Sequence, residues 1–440
     1  MRIIEGLENA RKYLARRSQI PYGTISSTLR KRLKELAGRE IEPEEWTRQI
    51  INEVAQQGDT AVRDYTLKID GIQLKNLEVS RETIKKSFDN IPEALLNSIN
   101  LAAERIRLFH QQQKKSVWHE VEGKEWGQIV RPLSRVGFYI PGGTASYPST
   151  VLATVIPAKV AGVQEIIMTT PPRPDGTVPD TTLIAAEIAG VNRVFSIGGA
   201  QAIAAMAFGT ETVPKVDKIC GPGNIFVMLA KKQVFGITDI DALQGPSEVM
   251  VIADQTAKPS YCAADLLAQA EHDTMAQAIM VTTSKDLAEQ TLKEIEKQIA
   301  TLPRKGIASE ALSKNGIIAV VASIEEGIEL SNDYAPEHLE LMISDPDKYL
   351  HLVTNAGCVF LGEYSTEPIG DYVAGPSHAL PTGGTARFSS PLNIIDFIKI
   401  IDIVKIDRKG INSIGQAAIN IARAEGLEAH ARAVEKRLEE

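Results

Sequence analysis

The stretch that decides the fold is Val136-Gly137-Phe138-Tyr139-Ile140-Pro141-Gly142-Gly143, a short β-branched and aromatic run that ends in a glycine turn. An alanine-rich stretch follows and predicts a helix from about residue 149 to 161. The same order of strand, turn and helix then recurs along the chain, with strands starting about 25 to 30 residues apart, a spacing typical of βαβ units with a parallel sheet. The expected strands after the first are 165–170, 193–197, 218–220 and 248–253.

A second series of strands and helices follows the first, so we predict an α/β fold with two modules in tandem. The first 130 residues are mostly helical in pattern. The tail from 413 to 440 predicts one or two amphipathic helices, too thin to hold a core alone, which we expect to dock on another domain or subunit. The second series comprises strands at 278–283, 316–321, 339–343 and 358–361 and helices at 262–272 and 287–302, and the N-terminal helices are 28–37, 43–57 and 81–113.

Composition describes an ordinary soluble protein. The 440 residues are 43% hydrophobic and 24% charged, with a formal net charge of -8. An acidic balance argues against nucleic acid as a partner, because phosphate binding needs a basic face. The sequence contains no run of about 18 apolar residues, so we expect no membrane span. The first residues also lack the apolar run of a secretory signal. Three scattered cysteines exclude a disulfide framework, so the cytoplasm is the expected location.

Glycines stand at the predicted carboxyl ends of several strands, where ligands of doubly wound sheets bind. They are Gly142-Gly143, Gly198-Gly199, and the pair Gly221 and Gly223. Glycine lets backbone amides approach a phosphate. The dinucleotide fingerprint is absent, however, since Phe226 stands where its third glycine would be. These turns are compatible with a nicotinamide cofactor and equally with plain strand-to-helix turns.

Two short segments carry possible metal ligands. Gln269 and His272 lie three apart in a predicted helix, so both side chains would project from one face. Their alternative is a polar helix face with a hydrogen-bonded histidine. Asp371 follows Gly370 after a strand, which would aim a carboxylate into a cleft, or it is simply a turn-forming aspartate.

A third segment, Pro336-Glu337-His338, resembles the first turn of a helix. The helix dipole would there favour an ionised Glu337, able to activate water, and a neutral His338, able to accept a proton. The alternative is an acid that only stabilises a helix start. The glycine-rich loop from 374 to 385 contains His378, which either contacts a substrate or caps the loop.

Taken together, these segments closely resemble the histidinol dehydrogenase family from about residue 132 to 430. One departure is Ser377, where members often carry asparagine. The matching segments are 138–143 (Phe-Tyr-Ile-Pro-Gly-Gly), 198–203 (Gly-Gly-Ala-Gln-Ala-Ile), 221–224 (Gly-Pro-Gly-Asn), 245–249 (Gly-Pro-Ser-Glu-Val), 269–272 (Gln-Ala-Glu-His), 336–338 (Pro-Glu-His), 370–372 (Gly-Asp-Tyr) and the pair Glu425 and His430.

The resemblance implies two incomplete Rossmann-like domains, each a parallel sheet flanked by helices, with small helical N- and C-terminal segments in an intertwined homodimer. It implies a cytoplasmic enzyme of histidine biosynthesis. The implied divisions are an N-terminal helical segment 1–33, an α/β domain of 34–138 and 249–391 with the zinc and catalytic residues, an α/β domain of 139–248 with the NAD-binding turns, and a dimerisation segment 392–440.

The resemblance further implies oxidation of L-histidinol to L-histidine in two NAD-dependent steps through a bound aldehyde, with one zinc ion per subunit. Glu337 and His338 would be the catalytic pair. Glu425 and His430 would come from the partner subunit. The implied zinc ligands are Gln269, His272, Asp371 and His430; the further substrate contacts are Ser247, His338, His378 and Glu425, with Ser149 facing the same site; and the NAD contacts are Tyr139, Gln201 and Asn224.

Two other functions are compatible with parts of this pattern. A paralogous zinc and NAD dehydrogenase would act on another small polar alcohol, and Glu425 is the residue that discriminates against it. A non-enzymatic binding protein with a structural metal would need neither Glu337 nor His338.

Overall fold

The computed structural model describes residues 1–15, 27–142 and 146–439. Gly143, the second glycine of the first predicted turn, lies outside this part of the chain. The described residues form two parallel sheets and one antiparallel sheet. The strands are β1 (Arg2–Glu5), β2 (Val121–Glu122), β3 (Trp126–Pro132), β4 (Arg135–Tyr139), β5 (Glu165–Thr170), β6 (Arg193–Ser196), β7 (Lys218–Cys220), β8 (Asp239–Ile240), β9 (Glu248–Ala253), β10 (Gln277–Thr282), β11 (Ile317–Val320), β12 (His338–Met342), β13 (Cys358–Leu361) and β14 (Ile398–Val404).

Helices cover both faces of the two parallel sheets. Short 3-10 turns and one π-helical turn, Gly370–Ala374, complete the regular structure. The helices are α1 (Leu7–Ala15), α2 (Ser27–Ala37), α3 (Pro43–Gln57), α4 (Asp59–Asp70), α5 (Arg81–Lys86), α6 (Glu93–Val117), α7 (Pro148–Ala161), α8 (Asp180–Ala189), α9 (Gly199–Phe208), α10 (Ile225–Val234), α11 (Pro259–Ala270), α12 (Lys285–Ile299), α13 (Lys305–Asn315), α14 (Ile324–Tyr334), α15 (Pro346–Tyr349), α16 (Glu367–Ile369), α17 (Arg408–Ala424) and α18 (Glu428–Glu439).

The five-stranded sheet has the order β6-β5-β4-β7-β8, with β4 in the centre and all neighbours parallel. On one face α6, α7 and α8 form a core around Phe138 and Ile156. On the other face α3 and α4 pack against the alanine-rich α9, around Trp46 and Ile203. Small residues on α9 let the helices approach closely, and every residue from Ala200 to Ala207 is buried.

The six-stranded sheet has the order β1-β11-β10-β9-β12-β13 and is parallel throughout. Two of its inner strands, β9 and β12, are buried along their whole length, as is expected of parallel strands covered on both faces. The helices α11, α12 and α13 cover one face, and α1 and α14 cover the other.

The third sheet joins the C-terminal part of the chain to the middle of the sequence. β14 pairs antiparallel with β3, which pairs with β2. The helices α17 and α18 follow β14 and pack on each other through Ile419, Ala422 and Ala431. The tail, for which one or two amphipathic helices were predicted from residue 413 onward, forms two, and the first begins at Arg408.

The predicted α/β fold with parallel sheets flanked by helices is confirmed, but the structure corrects several details. We grouped residues 34–138 with 249–391, whereas α3, α4 and α6 pack on the five-stranded sheet and β4 is its central strand. The N-terminal segment is not wholly helical, because β1 adds an edge strand to the six-stranded sheet. The remaining domain boundaries stay a prediction.

Two predicted helices also differ. The helix expected over 81–113 is two helices, α5 and α6, because Pro92 lacks the N–H that a continuous helix needs there. Pro336-Glu337-His338 does not begin a helix. Instead α14 ends at Tyr334, Ala335 takes a left-handed φ of 57°, and β12 begins at His338.

Over the described ranges, none of the helices combines the length and the apolar character that crossing a bilayer would require.

Candidate active site

The predicted catalytic pair lies at the amino end of β12 in the six-stranded sheet, next to the amino end of β9. His338 begins β12 and is in register with Val249 of β9 on one side and Cys358 of β13 on the other. Glu248 begins β9. Ligands of open parallel sheets usually lie beyond the carboxyl ends, so this site does not follow that rule.

Glu337 is buried directly before β12. Its Oε2 accepts a hydrogen bond of 2.8 Å from the N–H of Glu248. Burial raises the pKa of Glu337 to about 8, although the neighbouring His338 acts in the opposite direction. A carboxyl group with a pKa this close to neutrality suits a general base. Glu337 does not lie in the first turn of a helix, so no helix dipole favours its ionised form as we expected. Burial is the main influence on its pKa instead.

His338 is held from both sides of its ring. Nδ1 lies 3.0 Å from the carbonyl oxygen of Glu248, and Nε2 lies 3.3 Å from Asp371 Oδ1. Because carbonyl and carboxylate oxygens both only accept, Nδ1 carries a hydrogen, and the contact with Asp371 needs a second hydrogen on Nε2, as in the imidazolium. Burial lowers the pKa of His338, but the charge of Glu337 and the hydrogen bond to Asp371 outweigh it, and the net shift is upward.

Asp371 lies in the π-helical turn Gly370–Ala374. This turn packs closely on β13, since a Cβ on Gly370 would lie 2.3 Å from Phe360 Cε1. Arg105 of α6 donates to the last two carbonyl oxygens of the turn, at 2.8 and 3.2 Å. The helix α6, which packs on the five-stranded sheet, thus fixes the turn that carries Asp371 beside the six-stranded sheet.

His378 connects the glycine-rich loop to this turn. Its Nδ1 donates to the carbonyl oxygen of Asp371 at 2.7 Å, and its Nε2 lies 3.4 Å from Thr150 Oγ1. Ser377, the departure from the family pattern, is buried and donates to the carbonyl oxygen of Ala153 at 3.0 Å. The Ser377 hydroxyl therefore anchors the loop to α7.

Glu367 is a site residue that the sequence reasoning missed. His338, Glu367 and Asp371 each offer a ligand atom, and these atoms lie within 4.8 Å of one another. Burial raises the pKa of Glu367 to about 7. The signal was available, since Glu367 and Asp371 are four residues apart in one continuous helical stretch and face the same way.

Gln269 is fully buried at the end of α11 and faces Glu367. Because a carboxylate only accepts, the amide nitrogen is the atom that faces it; in this orientation Nε2 donates to both carboxylate oxygens, at 3.1 and 2.9 Å, and Oε1 is the atom that can act as a ligand. His272 lies in the turn after α11, which ends at Ala270, so the two side chains do not share a helix face as predicted. Burial lowers the pKa of His272, and the charge of Asp371 acts in the opposite direction.

The two predicted C-terminal residues are elsewhere on the single chain. Glu425 caps the end of α17, His430 lies in α18, and both are exposed. Neither belongs to the group of ligand atoms formed by His338, Glu367 and Asp371.

The predicted serines lie on segments that lead into the cleft. Ser149 is in the first turn of α7, beside Thr150. Ser247 directly precedes β9 and is half-buried. The segment before Ser247 is tied to the glycine-rich loop, because Gly245 N–H donates to Thr382 Oγ1 at 2.6 Å.

The residues predicted to contact NAD lie at the carboxyl ends of strands in the five-stranded sheet or just beyond them. The Tyr139 hydroxyl accepts a hydrogen bond of 3.2 Å from Gly199 N–H. Asn224 caps α10 through its Oδ1, which accepts from the N–H groups of Phe226 and Val227. Gln201 is fully buried, and neither end of its amide has a partner within the described chain.

These side chains fit a metal and a cofactor. His272, Asp371 and Gln269 supply an imidazole, a carboxylate and an amide oxygen, which are donor types suited to zinc. Among the described His, Cys, Asp and Glu side chains, however, the group whose ligand atoms lie within 4.8 Å of one another is His338, Glu367 and Asp371. A buried amide without partners is costly unless a ligand supplies them, and Gln201 beside the glycine turns is such a group.

The chain matches the histidinol dehydrogenase family over residues 35–438. The histidinol dehydrogenase of Dehalococcoides mccartyi (strain CBDB1) is 55% identical over 439 residues, which cover 100% of both chains. That of Bacillus cereus (strain ATCC 14579) is 50% identical over 395 residues, covering 89% of this chain and 92% of its own. The crystal structure of histidinol dehydrogenase from Elizabethkingia anophelis matches with a TM-score of 0.90 at 38% identity, covering 100% of this chain and 98% of that one.

These matches run through the segments that build the cleft, from the glycine turns to the glutamate-histidine pair. With the sheet order and site geometry above, they identify the chain as a member of the histidinol dehydrogenase family of oxidoreductases.

Proposed function

We propose that the protein is a zinc-dependent L-histidinol dehydrogenase that oxidises L-histidinol to L-histidine in two successive NAD-dependent steps. The observation that carries the proposal is the buried pair Glu337 and His338, with His338 Nε2 3.3 Å from Asp371 Oδ1. A binding protein with a structural metal would need a ligand set but not a proton acceptor and a carboxyl base beside it.

The metal would be held by Gln269, His272 and Asp371, with His430 of the partner subunit as the fourth ligand. Zinc supplies a positive charge that anchors and orients the imidazole and amino nitrogens of the substrate. Glu367 prepares this site by holding the Gln269 amide, so that Oε1 is the atom left for the metal.

His338 is the proton acceptor for the alcohol. Its Nδ1–H is donated to the Glu248 carbonyl oxygen, so the lone pair of the neutral ring is on Nε2. When Nε2 takes the alcohol proton, the imidazolium lies beside the Asp371 carboxylate, which stabilises the charge. The hydroxyl of the substrate must therefore reach Nε2 from the cleft.

Glu337 is the base for the second half of the reaction. Its fixed Oε2 contact with the Glu248 N–H leaves the other carboxylate oxygen to orient and deprotonate a water molecule. That water adds to the aldehyde, and the hydrate loses the second hydride to give the carboxylate of histidine. Retaining the aldehyde in a closed cleft protects a reactive intermediate between the steps.

NAD, when bound, would supply the acceptor for the two hydrides. Tyr139, Gln201 and Asn224 would contact it beyond the strand ends of the five-stranded sheet, and the unpartnered amide of Gln201 is the group that most needs such a ligand. Ser149, Ser247 and His378 would contact the substrate from the surrounding segments.

The working protein is a homodimer in which Glu425 and His430 of the partner subunit complete each site. Exposed apolar side chains on the C-terminal segment support this assembly. Ile400 is 59% exposed, Val404 77% and Ile421 61%, an apolar surface that a second copy would cover. Glu425 would pair with the substrate ammonium group. The cytoplasm is the location we propose, as for other enzymes of amino-acid synthesis.

The experiment is to follow NADH formation from L-histidinol and NAD to completion, with and without a chelator. We expect two NADH per substrate, loss of activity on chelation and recovery with zinc. Absence of NADH from folded, zinc-loaded protein would overturn the assignment and point to another small polar alcohol. One NADH per substrate would contradict the role given to Glu337.

A further inference from the structure

A buried ion pair lies beneath the glycine turn that follows β7. Lys231 of α10 and Asp241, just after β8, pair through Nζ and Oδ1, with side chains only 1% and 3% exposed. Neither residue belongs to the catalytic or cofactor contacts described above. An ion pair this deeply buried is rarely favoured for stability alone, because well-packed apolar residues are often as stable.

The pair holds both polar backbone groups of Gly221. Lys231 Nζ donates to the Gly221 carbonyl oxygen at 2.9 Å, and Asp241 Oδ2 accepts from the Gly221 N–H at 2.7 Å. Gly221 cannot be replaced at this position, since its φ is +114° and a Cβ would lie 2.0 Å from the carbonyl oxygen of Tyr139. The turn is thus clamped between the ion pair and the end of β4, three residues before Asn224.

The same pair also holds the segment that leads into the substrate side of the cleft. Lys231 Nζ donates to Gln244 Oε1 at 3.1 Å, and Gln244 Nε2 donates to Asp241 Oδ2 at 3.1 Å. Gln244 stands three residues before Ser247 and four before Glu248, whose N–H holds Glu337. The three N–H groups of the ammonium are therefore all used, by Asp241, Gly221 and Gln244.

We propose that Lys231 and Asp241 are positioning residues that fix the Gly221–Asn224 turn relative to the Gln244–Glu248 segment. This inference rests on the proposed function, in which the first segment contacts NAD and the second contacts the substrate. By holding both, the pair sets the separation of hydride donor and acceptor, on which transfer depends steeply.

The test compares zinc-loaded wild type with Lys231→Met, Asp241→Asn and the double variant Lys231→Met/Asp241→Leu. The double variant replaces both charges with apolar groups and is the variant best able to fold. Lys218→Met is the matched control, because Lys218 is also a buried lysine, but its ion-pair partners, Asp239 and Asp396, lie outside both segments.

The measurements are the KM for NAD, the KM for histidinol, kcat and zinc content, with thermal unfolding as a check on the fold. We expect the KM for NAD to rise about tenfold or more and kcat to fall, while zinc content and the KM for histidinol change less than about threefold. Lys218→Met should lower thermal stability and leave the KM for NAD unchanged.

Folded variants with a lowered melting temperature and a wild-type KM for NAD would overturn the positioning role while leaving the proposed function intact. Wild-type protein that forms no NADH from histidinol would overturn the proposed function, and the inference with it.

Discussion

His338 Nε2 lies 3.3 Å from Asp371 Oδ1, although the two residues are 33 positions apart in the chain. The contact joins the proposed proton acceptor to a proposed zinc ligand. It also joins a strand of the six-stranded sheet to a turn held from outside that sheet by Arg105. A small movement of the turn would therefore disturb proton transfer and metal binding together.

Replacing Glu337 with glutamine should separate the two oxidations. Glutamine keeps the shape and can still accept from the Glu248 N–H, but it cannot take a proton from water. We expect the overall rate of histidine formation to fall by about 10²- to 10⁴-fold, the usual contribution of a general base. Stopped-flow measurement of NADH should then give close to one equivalent in the fast phase. Two fast equivalents would assign the hydration step to another group.

Replacing Arg105 with leucine should lower both activity and zinc affinity, although Arg105 is not itself one of the proposed zinc ligands. Its two hydrogen bonds to the turn of Asp371 would be lost, and hydrogen bonds of this kind contribute about 1 kcal/mol each. We expect kcat/KM for histidinol to fall about five- to tenfold and zinc to dissociate faster. The control is Arg107→Leu on the same helix, whose guanidinium bonds the Ile188 carbonyl oxygen instead. Equal effects of the two substitutions would contradict a specific role of the turn.

Alanine substitutions at two glycines with positive φ, Gly236 and Gly221, distinguish the cost of backbone strain from the cost of a close contact. Gly236 has a φ of +99°, and none of the described atoms lies within 4 Å of the position that a Cβ would take there, whereas at Gly221 the added Cβ would lie 2.0 Å from the carbonyl oxygen of Tyr139. Gly236→Ala should lower the free energy of unfolding by about 1 kcal/mol, the cost of left-handed backbone. Gly221→Ala should lower it further, and the KM for NAD should rise about tenfold or more because the turn must move. Denaturant titration and steady-state kinetics measure both, and similar results for the two variants would contradict the close contact.

Mixed dimers test whether the site is shared between subunits. Glu337→Gln and His430→Ala protomers are each inactive in the proposal, but a mixed dimer contains one intact site. With random exchange, half of the dimers are mixed, so activity should recover to about a quarter of wild type. Recovery is measured after denaturation and joint refolding, with each variant refolded alone as control. No recovery despite proven exchange would mean that His430 acts within its own chain.

The sequence predicted the two parallel sheets because β-branched runs and glycine turns are local signals. The strands 165–170, 218–220 and 248–253 were predicted with the bounds that the structure has. Which helices cover which sheet could not be predicted in this way. The amphipathic faces of α3 and α4 fit either sheet, and only packing against the alanine-rich α9 decides between them.

The site itself was only partly predictable. Short motifs indicated Gln269, Asp371 and the pair Glu337 and His338, but Glu337 was placed in a helix that does not exist. A proline followed by an acid is typical of a helix start, and the left-handed Ala335 that ends α14 has no such signal in the sequence. Glu367 was missed although its spacing of four residues from Asp371 was a signal; its contact with the Gln269 amide is tertiary and could not be predicted.

The pairing of β1 with β11 has a consequence for how the chain is made. On the ribosome, residues 2–5 emerge long before their parallel neighbour, 317–320, so this strand stays unpaired until that neighbour has been made. The five-stranded sheet has all its strands once residue 240 has emerged, and it can form while the other sheet is still incomplete. Until then β1 has no partner strand. The charged side chains of Arg2 and Glu5 at its two ends disfavour its pairing with other nascent chains.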